Sequence, residues 1–295
     1  MNLLKRTGLT FASLYLRNIP NAFGRWRVIN YFLPILRHSG KELGERVVHT
    51  RYDFYFNADL GDWLGQYIYL TGTYEPPTAR IIAETLSPGD TFIDIGANAG
   101  FFTLLASVSV GDTGNVFAFE PVPSMKQRIM DNISLNSMKN ITVHNTAVSN
   151  KKDVLSLFEG PEGHKGVSSL RPIENSAATL QVNTAPLDSF VDSFTSIKLI
   201  KIDVEGAEQL AVEGMQDIIQ KFRPSLVIEI TDEYLRSFGH DAITLATKLT
   251  EYGYSMYAIR PEGLEKISPA QAADEDQFNA FFTSEDVAQH LLSKN

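Results

Sequence analysis

The chain has 295 residues, 43% hydrophobic and 21% charged, with 20 Gly and 13 Pro, a globular composition that excludes collagen-like, low-complexity and wholly disordered classes. Asp and Glu number 35 against 26 Lys and Arg, leaving a net charge of −9, a poor electrostatic match for a phosphate backbone, so nucleic acid is not an expected partner. The absence of cysteine excludes disulfides, thiolate nucleophiles and Cys-ligated zinc together.

Charge is unevenly spread along the chain. Residues 1–50 hold eight Lys and Arg against Glu42 and Glu45, a local balance of +6 that leaves −15 on the remainder. Lys5 and Arg6 followed by Gly8–Leu16 resemble a signal peptide only faintly. Arg17 follows at once and no Ala-x-Ala-like site is present, so an amphipathic helix is expected. No run reaches the ~18 apolar residues of a membrane-spanning helix, and the expected location is cytoplasmic. The dispersed basic residues favour a solvated helical face, with weak contact to a membrane surface as the lesser alternative. Phe11, Leu14, Leu16, Phe23, Trp26, Ile29, Phe32 and Leu36, several at helical spacing, suit a helical cap packed on the main body.

From about residue 79 the pattern alternates. It predicts strands over Thr91–Ile95, Val116–Glu120, Ile141–His144, Ile197–Asp203 and Ser225–Ile230. Helices are predicted over Phe101–Val110, Ser124–Asn136, Ala207–Phe222 and Ala242–Tyr252. Nearly continuous apolar strands alternating with helices imply a parallel sheet covered on both faces, a doubly wound α/β fold. Ser255–Arg260 and Gln277–Thr283 are expected to extend one edge as an antiparallel pair. Gly160, Gly163, Gly166 and three prolines within 151–190 predict an insertion of short strands and loops.

A buried strand ends in Asp94, a turn with Gly96 and Gly100 follows, and an apolar helix begins. In doubly wound sheets ligands bind outside the carboxyl ends of strands, where glycines admit close backbone approach. The spacing is Gly-x-x-x-Gly, so the dinucleotide fingerprint is not met. Asp94 would repel a pyrophosphate but suits an ammonium group, and Glu120 ends the next strand where a carboxylate can accept from both ribose hydroxyls. A ligand with a ribose, a positive aminoacyl end and no phosphates is S-adenosylmethionine.

The chain resembles the FkbM-type S-adenosylmethionine-dependent methyltransferases. The resemblance rests on Gly72-Thr-Tyr-Glu-Pro76, Phe92-Ile-Asp-Ile-Gly-Ala-Asn-Ala-Gly-Phe-Phe-Thr103, Phe119-Glu-Pro121, Asn145-Thr-Ala-Val-Ser149, Leu187-Asp-Ser-Phe190 and Ile200-Lys-Ile-Asp-Val-Glu-Gly-Ala-Glu208. It implies a Rossmann-like class I sheet of seven strands with the last antiparallel, over residues 59–295, preceded by a helical extension over 1–58. It also implies methyl transfer, commonly to a hydroxyl oxygen. Carried onto this sequence, Asp94, Gly96, Asn98 and Gly100 line the cofactor loop and Glu120 meets the ribose. Glu75 is a second carboxylate near the aminoacyl end, Asn145 and Ala147 approach the adenine, and Asp203 lies beside the transferable methyl.

A hydroxyl acceptor must lose a proton, which calls for a general base. Asp203 and Glu205 are the candidates, with Glu229 next and His144 and His164 behind it. These carboxylates also have the oxygen chemistry of a Mg²⁺ site. The metal-free reading ranks first, because Glu208 begins a helix, where the macrodipole alone favours an acidic residue. Residues 159–178, with Lys165 and Arg171, are expected to contact the acceptor, a glycan or small molecule, and Trp63, Tyr67, Tyr69 and Tyr74 suit a sugar pocket or simply core packing. A nicotinamide-dependent oxidoreductase and a non-catalytic cofactor-binding scaffold are the alternatives.

Overall fold

The predicted apolar strands pair into one large sheet in the computed structural model, which describes residues 3–18, 24–159, 168–169 and 179–293. The chain opens with two helices, α1 (Leu3–Asn18) and α2 (Arg25–Leu43). Their inner faces bury Leu9, Leu16, Ile29 and Leu36. The next segment departs from an all-helical cap: β1 (Glu45–His49) and β2 (Tyr55–Asp59) form an antiparallel hairpin. Its turn closes because the Thr50 amide and hydroxyl both donate to the Phe54 carbonyl at 2.9 Å, while Asp53 takes a positive φ of 63°. Helix α3 (Trp63–Thr71) is capped by Asp62, which accepts from the Leu64 amide, and packs beneath α1 and α2. Helix α4 (Pro76–Thr85) starts on a proline, whose fixed φ suits a first turn.

The central sheet then alternates strand and helix: β3 (Thr91–Ile95), α5 (Phe101–Val110), β4 (Asn115–Phe119), α6 (Pro123–Asn136) and β5 (Ile141–His144). A second, four-stranded sheet follows, from β6 (Ala147–Val148), β7 (Asp153–Glu159), β8 (Ser168–Ser169) and β9 (Thr179–Ala185), in the order β6-β9-β7-β8. This is the expected insertion. Its Leu157 and Val182 pack on Val122 and Met125 at the start of α6, fixing it as a wall over the ends of β4 and β5. Most of 159–178, including His164, Lys165 and Arg171, lies outside the described residues.

After a 3₁₀ turn at Leu187–Ser193 come β10 (Leu199–Ile202), α7 (Glu208–Glu213), α8 (Gln216–Phe222), β11 (Ser225–Ile230), α9 (Asp232–Ser237) and α10 (Ala242–Glu251). The single helix expected over Ala207–Phe222 is thus two. Gly214 interrupts it where a side chain would collide with the Ser149 carbonyl, a Cβ there lying only 2.0 Å away. The chain ends with β12 (Ser255–Arg260), β13 (Gly263–Lys266), β14 (Phe278–Thr283) and α11 (Glu285–Leu292).

Strand order is β13-β12-β14-β11-β10-β3-β4-β5. Strands β5, β4, β3, β10 and β11 run parallel, and β14 inserts antiparallel between β11 and β12. The predicted antiparallel pair therefore exists, but it does not form the edge, which the short hairpin strand β13 supplies as an eighth member. Alternation at period two sends Ile93, Ile95, Ile200, Ile202 and Ile228 to one core. Phe92, Leu199, Val227 and Phe281 go to the other. Burial on both faces stabilises the sheet by roughly 1.5–3 kcal/mol per large apolar side chain. It leaves the strand ends as the natural place for polar chemistry.

Candidate active site

A cavity of about 360 Å³ opens outside the carboxyl ends of β3, β4, β10 and β11. Of the residues singled out from sequence, Glu75, Gly96, Asn98, Glu120, Ala147, Asp203, Glu205 and Glu229 line it together. Asp94, Gly100 and Asn145 stand behind its wall.

On the β3–β4 side the loop geometry is dictated by contact. Gly96 has φ 80°, and a Cβ there would lie 1.8 Å from the Asp203 carbonyl, so the loops after β3 and β10 touch only because this residue is glycine. Gly100, φ 89°, sits against Ile129 as the cap of α5, a conformational role. Glu120 accepts from the Asn98 amide on one oxygen and the Val122 amide on the other, both at 2.8 Å. Burial pushes its carboxyl up to about 7, and these two donors oppose the rise. A carboxylate has about four acceptor positions, so two remain for hydroxyls. The Asn145 amide donates to the carbonyls of Glu120 and Pro121, at 2.9 and 2.8 Å, holding the chain as it leaves β4.

The β10–β11 side is built from charges. Asp203, Glu205 and Glu229 each bring an oxygen within 4.8 Å of the others. Glu229 is raised well above the usual carboxylate range by burial first, then by Asp203, Glu205 and Glu75. Glu75 is likewise raised, by burial and then Asp203. Two amides from the β14 region steady them: Gln277 donates to Glu229 at 2.8 Å and Asn279 to Glu75 at 2.9 Å.

Lys201 is the residue that sequence reasoning missed. Paired with Asp94 across β3 and β10, it is 2% exposed, donates to Asp203 at 2.9 Å and lies 4.9 Å from the Phe102 ring centroid. Burial alone pulls its ammonium down, but Asp203, Asp94 and Glu75 outweigh that and hold it above its ordinary value. Asp94 is wholly buried, accepting from the Thr103 hydroxyl at 2.6 Å, and burial raises its carboxyl. Its other oxygen has no hydrogen-bond partner. Glu208 begins α7, as expected, and its carboxylate also accepts from the amides of Val204 and Gly206, both at 3.1 Å, clamping the turn that presents Glu205. Among the described residues, six non-glycine positions have positive φ, and Glu75, Asn98 and Glu205 of this cavity are three of them. Such strain concentrates where surroundings enforce it, commonly at ligand sites.

Aromatic residues complete the wall. Trp63 and Tyr74 face the cavity, Trp63 stacks on Tyr67 with centroids 5.7 Å apart, and Tyr74 packs edge-on to Trp63 at 5.8 Å. His144 is half-buried against Phe119 and does not line the cavity; burial, then Lys126, lowers its pKa.

These features fit S-adenosylmethionine. The carboxylates of Glu75 and Asp203 and the residual acceptor capacity of Glu120, all in the cavity lining, match an ammonium, a sulfonium and a ribose.

Comparison with known proteins agrees. The model of the methyltransferase FkbM domain matches residues 94–256. Methyltransferase 1 of Beauveria bassiana is 28% identical over 196 residues, 59% of this chain and 76% of that protein. Hexuronic acid methyltransferase AglP of Haloferax volcanii is 25% identical over 158 residues, 53% of this chain and 62% of that one. The crystal structure of an FkbM methyltransferase from Methylobacillus flagellatus superposes with a TM-score of 0.41 at 18% identity, covering 86% of this chain and 59% of its own. The match over residues 94–256 selects methyl transfer over the oxidoreductase alternative: the chain belongs to the FkbM methyltransferase family and uses S-adenosylmethionine.

Proposed function

We propose that the enzyme methylates a hydroxyl oxygen of a saccharide or small hydroxylated metabolite. The observation that carries this reading is the convergence of Asp203, Glu205 and Glu229 in a cavity also lined by Trp63 and Tyr74. Aromatic faces suit the apolar C–H faces of a sugar ring, and carboxylates suit its hydroxyls. Similarity to a hexuronic acid methyltransferase supports the same substrate class.

In this reading Glu75, Gly96, Asn98, Glu120, Ala147 and Asp203 hold the cofactor, with Asp94, Gly100 and Asn145 shaping their positions from behind. The bound cofactor supplies a methyl carbon made electrophilic by its sulfonium charge. Most of the remaining acceleration comes from holding the acceptor oxygen in line with that carbon. Glu229, with Asp203 and Glu205 beside it, accepts the hydroxyl proton. Burial and the neighbouring carboxylates raise its affinity for a proton, which makes it a stronger base than an ordinary carboxylate. The three carboxylates also present the oxygen set of a hard cation. Lys201 already places a positive charge 2.9 Å from Asp203, which supports the metal-free reading. Dialysis against EDTA is expected to leave the rate unchanged, and loss restored by Mg²⁺ would contradict that part.

The acceptor is tested with methyl-labelled S-adenosylmethionine and a panel of hexose and hexuronic acid glycosides. Label in a base-stable sugar ether is expected. Label found only in a base-labile ester or in an amine would overturn the reading.

A further inference from the structure

We propose that the outer face of the α1–α2 layer docks onto an anionic lipid bilayer. The inner faces of the two helices are occupied, since Leu9, Leu16, Ile29 and Leu36 close over Leu60 and Leu70 at α3. The helices also meet each other, Gly8 of α1 lying against the Phe32 ring of α2. The opposite faces therefore point away from the body of the protein.

On those faces Phe11 and Trp26 are each 67% exposed and Tyr31 66%. Arg27 and Arg37 are exposed on the same broad outer face of α2, Arg27 four residues before Tyr31 and Arg37 eleven, about three turns, after Trp26. Two independent observations select lipid. The first is charge: residues 1–50 carry +6 while the rest carries −15, so this layer is the basic pole of an acidic protein. An anionic bilayer attracts that pole and repels the remainder, which fixes the orientation of approach. The second is the kind of apolar group exposed: Trp, Tyr and Phe interleaved with Arg are the side chains that settle at headgroup depth. Among the described residues no helix is long and apolar enough to cross a membrane, so the helices would lie along the surface.

The layer adjoins the cavity. Burial raises the Tyr67 phenol while Arg25, at the start of α2, opposes that rise, and Tyr67 stacks on Trp63 of the cavity wall.

Co-sedimentation of the full chain with vesicles tests the proposal. Vesicles of equal parts phosphatidylglycerol and phosphatidylcholine should bind it roughly tenfold or more tightly than phosphatidylcholine alone, with the preference fading at high salt. The double variant Arg27→Glu/Arg37→Glu should lose that preference, and Trp26→Ala/Tyr31→Ala should weaken binding to the mixed vesicles by roughly tenfold. Unchanged S-adenosylmethionine binding by calorimetry shows that each variant is folded. A chain that stays in the supernatant with both vesicle types overturns the proposal. So does equal pelleting on both vesicles that ignores all four substitutions, or pelleting without vesicles through self-association.

Discussion

The two sides of the cavity handle buried carboxylates in different ways. Glu120, beside β4, is solvated by backbone amides, one on each oxygen, and Asp94 and Asp203 act on it less than burial and those amides do. Glu229, Glu75 and Asp203, at the ends of β10 and β11 and beside α4, are crowded with one another around the buried ammonium of Lys201. Dipoles fixed by the backbone do not change with protonation, which suits the binding role proposed for the Glu120 side. Crowded carboxylates raise one another's proton affinity, which suits the acid–base role proposed for the β10–β11 side.

The largest expected effect falls on the second side. Glu229→Gln keeps the shape and the acceptor for Gln277 but cannot take a proton, so kcat should fall by about 10²–10⁴-fold. The wild-type rate should rise with pH as Glu229 ionises, at a pH above the ordinary carboxylate range, and the variant should lose that limb. A pH–rate profile checks both.

Next comes Lys201→Met, which strips Asp203, Asp94 and Glu75 of their common cation. Breaking a buried pair in this way should cost about 3–5 kcal/mol in urea denaturation. A loss under 1 kcal/mol would show that the carboxylates are neutralised by other means.

On the first side, Glu120→Ala removes the proposed ribose acceptor and orphans two amides. S-adenosylmethionine affinity should drop by about 10–100-fold, equivalent to 1.4–2.8 kcal/mol, as read by calorimetry.

The smallest effect sharpens the role of burial alone. Burial pushes Glu208 up to about 7, against an unfolded value near ~4.3. Folded protein therefore binds the proton more tightly, so this contribution is complete below the unfolded pKa and is lost as pH rises through about 7. Glu208→Gln retains an acceptor for Val204 and Gly206. Its advantage over the wild type should be smallest below about pH 4 and grow by about 1–2 kcal/mol or more by pH 8.

Much of the first side was legible because its parts are local. A strand ending in Asp94, a glycine turn and a helix lie within a dozen residues, and Glu120 follows one strand later. The second side was legible only where a carboxylate ends a strand, as at Asp203 and Glu229. Lys201 lies mid-strand, where a lysine ordinarily marks a solvent-facing position. Only its register against Asp94 explains its burial. Gln277 and Asn279 depend on β14 inserting between β11 and β12, a pairing that no local pattern encodes. Asp94 reads as a cofactor ligand from its place at a strand end, yet the Thr103 hydroxyl holds it behind the wall. The break at Gly214 was hidden for the same reason, since it depends on the distant Ser149 carbonyl.

The division of labour is tested most directly by the reciprocal pair: S-adenosylmethionine affinity of Glu229→Gln, and the saturating rate of Glu120→Ala. The account predicts that Glu229→Gln binds the cofactor within about threefold of wild type, under 1 kcal/mol, and that Glu120→Ala approaches the wild-type rate once the cofactor saturates. A Glu229→Gln enzyme that loses cofactor affinity but keeps its rate at saturation would contradict it.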